Sequence, residues 1–92
     1  MKIPEPFPRA IYVHGYEDFN IYRGAPDEMV GRMADEMGAR TISEAVGKLL
    51  VDLAVNQHLH IELPRGLDET ELAEHFVVAL LATKVARPMA QA

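Results

Sequence analysis

Residues 18–46 read DFNIYRGAPDEMVGRMADEMGARTISEAV, and the fold turns on how this stretch divides. Phe19-Asn20-Ile21-Tyr22 is a short β-type run, with Phe19 and Ile21 on one face and Asn20 and Tyr22 on the other. Gly24-Ala25 breaks the strand. Pro26 suits the first turn of a helix, where its missing N–H costs nothing, and Asp27 and Glu28 complement the positive helix start. Met29, Val30, Met33, Ala34 and Met37 then recur at helical spacing, as a core stripe, until Gly38 stops the helix. Thr41-Ile42-Ser43-Glu44 reads as a capping box that opens a second helix.

Outward from this stretch, the second helix carries an apolar stripe of Ile42, Ala45, Val46, Leu49, Leu50, Leu53 and Ala54, and ends near Asn56. On the N-terminal side, Ile11-Tyr12-Val13 is a second β-type run that can form a hairpin with the first. Pro4, Pro6 and Pro8 make the segment before it an extended arm. On the C-terminal side, Leu59, Ile61 and Leu63 alternate with His60 and Glu62, the pattern of a half-buried strand. Asp68, with Glu71 three residues on, starts a last helix that is expected to run to about Ala86. That helix is apolar on most sides, so something must cover it, and a second subunit is one candidate. The expected fold is α+β, a single domain over 1–92 in the order β-β-α-α-β-α, with 18–57 as its core and 58–92 as a strand–helix extension.

Composition narrows the function classes. The chain has 92 residues, ordinary apolar content and no cysteine, which excludes disulfides, thiolate catalysis and cysteine-ligated zinc. A cytoplasmic setting is expected, because a small secreted domain usually needs such staples. Neither an apolar signal core nor a run of about 20 apolar residues is present, so no membrane partner is expected. Formal net charge is −5, and residues 18–57, with four basic and seven acidic side chains, contribute −3. Such acidity is poorly matched to a polyanion.

Asp18-Phe19-Asn20-Ile21, Val30-Gly31-Arg32-Met33-Ala34-Asp35-Glu36-Met37-Gly38 and Thr41-Ile42-Ser43-Glu44 together resemble the Arc repressor branch of the ribbon-helix-helix DNA-binding family. The resemblance spans residues 18–57. It implies a dimer in which two strands pair antiparallel and enter the DNA major groove. By position it implies that Asp18, Asn20 and Tyr22 face the bases, and that Arg40, Thr41 and Ile42 surround a helix start that holds a phosphate. Asp18 and Tyr22 stand where the family usually has glutamine and arginine. The first helix is also about a turn short at its start, and Ile11 to Val13 could pair with the ribbon strand and block the family dimer.

Other constellations are weaker. His58, His60 and Glu62 share a strand face but supply too few ligands for a closed metal site, so no metal and no cofactor are expected. His14 and His75 stand alone. Asp68, Glu69, Glu71 and Glu74 suit a helix start without any catalytic role. No enzyme is expected. The leading expectation is a dimeric ribbon-helix-helix-type regulator or antitoxin-like protein. The alternative is a protein-interaction or oligomerisation module that does not bind DNA, docking a partner through its last helix. A metal-binding or enzyme-accessory domain comes third. Phe19, Ile21, Leu50, Leu53, Phe76, Leu80 and Leu81 are the expected oligomer interface.

Overall fold

The computed structural model describes residues 9–14 and 19–88, with side chains described at 9–13 and 21–88. β1 (Ala10–His14) and β2 (Phe19–Arg23) form an antiparallel hairpin, with Ile11 opposite Tyr22 and Tyr12 opposite Ile21. Gly24 follows at φ 105, closes onto the hairpin through its N–H to the Arg9 carbonyl (2.8 Å), and turns the chain into a helix. The backbone angle favours glycine, and a β-carbon at Gly24 would also crowd the Glu28 carboxylate, 3.0 Å from Oε1.

α1 (Pro26–Met37) starts at the proline, and the Glu28 carboxylate accepts from the Ala25 N–H (3.0 Å). It ends at Gly38 in the left-handed conformation, whose N–H reaches back to the last turn. α2 (Ile42–Asn56) opens with Thr41 Oγ1 accepting from the Glu44 N–H (3.1 Å), and the Glu44 carboxylate accepts from Arg40 N rather than Thr41 N (3.3 Å). α3 (Glu69–Ala82) has a full capping box: Asp68 Oδ1 accepts from Glu71 N (2.8 Å), and Glu71 Oε1 accepts from Asp68 N (3.2 Å). β3 (Ala86–Pro88) then runs antiparallel to β1, giving the sheet order β2-β1-β3.

The fold is α+β, with three short antiparallel strands in one sheet and three helices. The third strand is not at 59–63 but at 86–88, after the last helix. Leu59, Ile61 and Leu63 do turn toward the core while His60 and Glu62 stay exposed, so their alternation reports burial. That segment does not join the sheet, and residues 86–88 occupy the edge of β1 that β2 leaves open. α3 stops at Ala82, four residues before the expected end. The Thr83 hydroxyl donates to the Ala79 carbonyl (2.8 Å), and Lys84 takes a left-handed φ of 65 that turns the chain into β3. Pro88 is tolerated because β3 is an edge strand.

One core joins the sheet and all three helices: Ile11, Tyr22, Met29, Val30, Met33, Val46, Leu53, Phe76, Val77, Leu80 and Val85 meet in it. α3 packs against α1, α2 and β3, which explains its apolar surface. The expectation that something covers this helix, with a second subunit as one candidate, is met inside the chain. Its Ala73, Phe76, Val77, Val78, Ala79 and Leu80 are already buried within the chain.

Candidate interaction surfaces

The ribbon strand sits in the sheet with its faces reversed from expectation. Tyr22 is only 5% exposed, and its hydroxyl donates to Glu36 Oε1 on α1 (2.5 Å). Ile21, expected inside, is 38% exposed, and Arg23, two residues on, is exposed with it. The cause is the hairpin: Ile11 is fully buried and stands opposite Tyr22, so the register with β1 sets which side of β2 faces the helices. Burial pushes the Tyr22 hydroxyl well above the ordinary tyrosine range, and the adjoining Glu36 carboxylate pushes it further. Tyr22 is thus a buried neutral donor, not a base-facing side chain. The position of Asn20 pairs with Val13 through the backbone, and its side chain lies outside those described. Asp18 lies outside the described residues.

The expected phosphate seat at the start of α2 is filled. Ser43 N donates to Glu69 Oε2 of α3 (2.8 Å), and Glu44 N donates to Thr41 Oγ1 (3.1 Å). The two N–H groups best placed to hold a phosphate already have partners, one of them a carboxylate from the same chain. Arg40, Thr41 and Ile42 line an open groove of about 940 Å³ beside this helix start. Arg23 and Arg32 also line it, but so do Glu28, Asp35, Glu36 and Glu69, so four carboxylates face three guanidinium groups. A polyanion would meet as much repulsion as attraction there.

The expected oligomer interface is mostly interior. Leu53, Phe76 and Leu80 are buried, and Leu50 and Leu81 pack partly buried against the same core. The Phe19 side chain lies outside those described, which leaves Ile21 as the exposed member of the set. Among the described residues, the large apolar side chains that do face water, besides Ile21, are Val51 at 64% and Val55 at 66% exposure. Both lie on α2, on the side away from Ala45, Val46 and Leu53. Neither belongs to the apolar stripe read from the sequence, and that omission was itself the signal: two valines one turn apart, left over from a helix whose core face was already complete.

Among the described residues, no three His, Asp or Glu side chains gather closely enough to hold a metal ion, and His58, His60 and Glu62 are all exposed. Nor, among them, is any helix long and apolar enough to cross a membrane. Comparison of the chain with family models, curated proteins and solved structures gave no match.

Proposed function

We propose that the protein is a small binding module, without catalytic activity or cofactor, that acts through protein contacts and not by reading DNA. The observation that carries this reading is the pairing of β2 with β1 inside one chain, with Tyr22 turned into the core. A groove-reading ribbon needs polar side chains on its outer face, and here the described part of that face offers one, Arg23, beside the apolar Ile21. The Glu69 carboxylate at the start of α2 and the net charge of −5 support the same conclusion. A cytoplasmic setting goes with this reading, since the chain has no cysteine to staple it.

A second reading, the ribbon-helix-helix-type DNA-binding regulator, keeps one specific observation in its favour. β2 is an edge strand of the order β2-β1-β3, so its outer edge can pair with β2 of a second copy. In that arrangement Arg23 would reach the DNA from the outer face, while Arg40 approached a phosphate. Fluorescence anisotropy with labelled duplexes at 20–50 mM salt (roughly the low-salt end, where nonspecific binding is strongest) separates the two readings. The protein-contact reading expects no binding up to about 100 μM, the weak end of nonspecific affinity. Binding that weakens steeply with salt, and is reduced in both Arg23→Ala and Arg40→Ala, would establish the DNA reading instead.

A further inference from the structure

We infer that the outer face of α2 holds a second copy of this chain, the two α2 helices lying antiparallel about a two-fold axis beside Val51. This rests on the protein-contact reading and names its partner.

The face is defined by helical geometry. At 100° per residue, Val51 points directly away from the core side that Val46, Leu49 and Leu53 occupy. Gly47 lies one turn before it and Val55 one turn after, all three exposed. Gly47 is costly in the middle of a helix, by about 1 kcal/mol relative to alanine. Among the described residues nothing accounts for it, since a β-carbon there would meet no atom within 4 Å. Val51 and Val55 are also poor choices for a solvated helix surface, being β-branched and apolar. A helix that approaches closely at Gly47 and covers both valines accounts for all three residues.

Charge order selects a second copy and its direction. Lys48 and Asp52 lie on the same flank of this face, one turn apart. When two α2 helices run antiparallel with Val51 at the axis, the symmetry keeps that flank on the same side in both copies. Lys48 of each then comes beside Asp52 of the other, making two equivalent ion pairs, and Val55 of each comes level with Gly47 of the other. A parallel pair brings no opposite charges together. Lys48 already leans along this face toward Glu44 (3.4 Å), and Asp52 accepts from Asn56 (2.5 Å), so both charges are held by their own helix. One helix pair of this length buries less than a standard interface of about 1,600 Å², so the dimer is weak and concentration-dependent.

The absence of native cysteine makes the test direct. Val51→Cys places the sole thiol at the axis, within disulfide range of its symmetry mate. On mild oxidation at high micromolar concentration, the full-length variant is expected to form a disulfide dimer, whereas Ile21→Cys on β2 is not. In parallel, sedimentation of charge variants, each checked for native helicity by circular dichroism, reads the register. Lys48→Asp alone and Asp52→Lys alone are each expected to weaken the dimer by about tenfold, and the double exchange to restore it to within about threefold. Cross-linking through Ile21→Cys but not Val51→Cys would overturn the α2 arrangement while leaving a protein-contact module in place. So would a double exchange that fails to restore the dimer. A monomer at every concentration that binds DNA in a salt-dependent way would overturn both.

Discussion

The Tyr22 hydroxyl ties the hairpin to the end of α1 through Glu36, a bond that becomes possible once the register with β1 has turned this face of β2 inward. Tyr22→Phe keeps the ring in the core and removes the bond, so a loss of about 1–3 kcal/mol is expected, within the range for a hydrogen bond to a charged group. Chemical denaturation reads it. The same residue makes stability depend on alkaline pH. Because burial and Glu36 raise the folded-state value above the unfolded one near 10 (the usual tyrosine value), the contribution is fully present below about pH 10 and is lost as pH rises toward the folded value. Denaturation midpoints from pH 8 to 12 should therefore fall more steeply for the native chain than for Tyr22→Phe. Equal slopes would place Tyr22 in water. The residue pattern of β2 could not settle its own facing. Phe19-Asn20-Ile21-Tyr22 has a large apolar body on both faces, and a tyrosine serves equally as a polar surface residue or as a core residue with one bonded hydroxyl. The partner that decides, Ile11, lies eleven residues from Tyr22 across a hairpin.

Helix boundaries, in contrast, were written locally. Pro26, Gly38, Thr41 and Asp68 mark starts and stops through backbone chemistry that needs no tertiary context, and these four boundaries fall accordingly, whereas the end of α3 comes four residues early. Thr41→Ala should cost about 1 kcal/mol in a thermal or urea melt, the usual worth of such a cap. Where tertiary context rules, sequence pattern misled. Leu59, Ile61 and Leu63 alternate because a core lies on one side of them, and no local feature told that the segment would stay outside the sheet. The clamp from Glu69 to Ser43 joins residues 26 apart and had no signature beyond an acidic helix start. Its removal in Glu69→Ala frees a helix N-terminus, so α2 should lose about 0.5–1.5 kcal/mol. Gly47→Ala tests the element differently. In the isolated chain it should add up to about 1 kcal/mol of helix stability, while the added methyl group holds a facing helix away and weakens self-association. An alanine variant that is more stable and dimerises undiminished would mean that nothing approaches α2 at Gly47.

At the scale of the whole molecule, a 92-residue chain buries a modest core around Phe76, which is 1% exposed and central to α3. Phe76→Ala should cost about 3–5 kcal/mol, enough to unfold much of a domain whose total stability is about 5–15 kcal/mol. A circular dichroism melt indistinguishable from the native one would displace α3 from the centre of the fold. That centre also removes the need for a partner on α3 and moves the question of association to α2, where Val51 and Val55 remain in water. On the proposed reading this module works by protein contact, beginning with its own second copy, across the outer face of α2. Sedimentation equilibrium of the native chain beside Val51→Lys tests it most directly. The expected result is a reversible, concentration-dependent shift from 10.2 kDa toward twice that mass, absent in Val51→Lys at every concentration. A native chain that stays at 10.2 kDa throughout, or a Val51→Lys variant that associates as the native chain does, would contradict it.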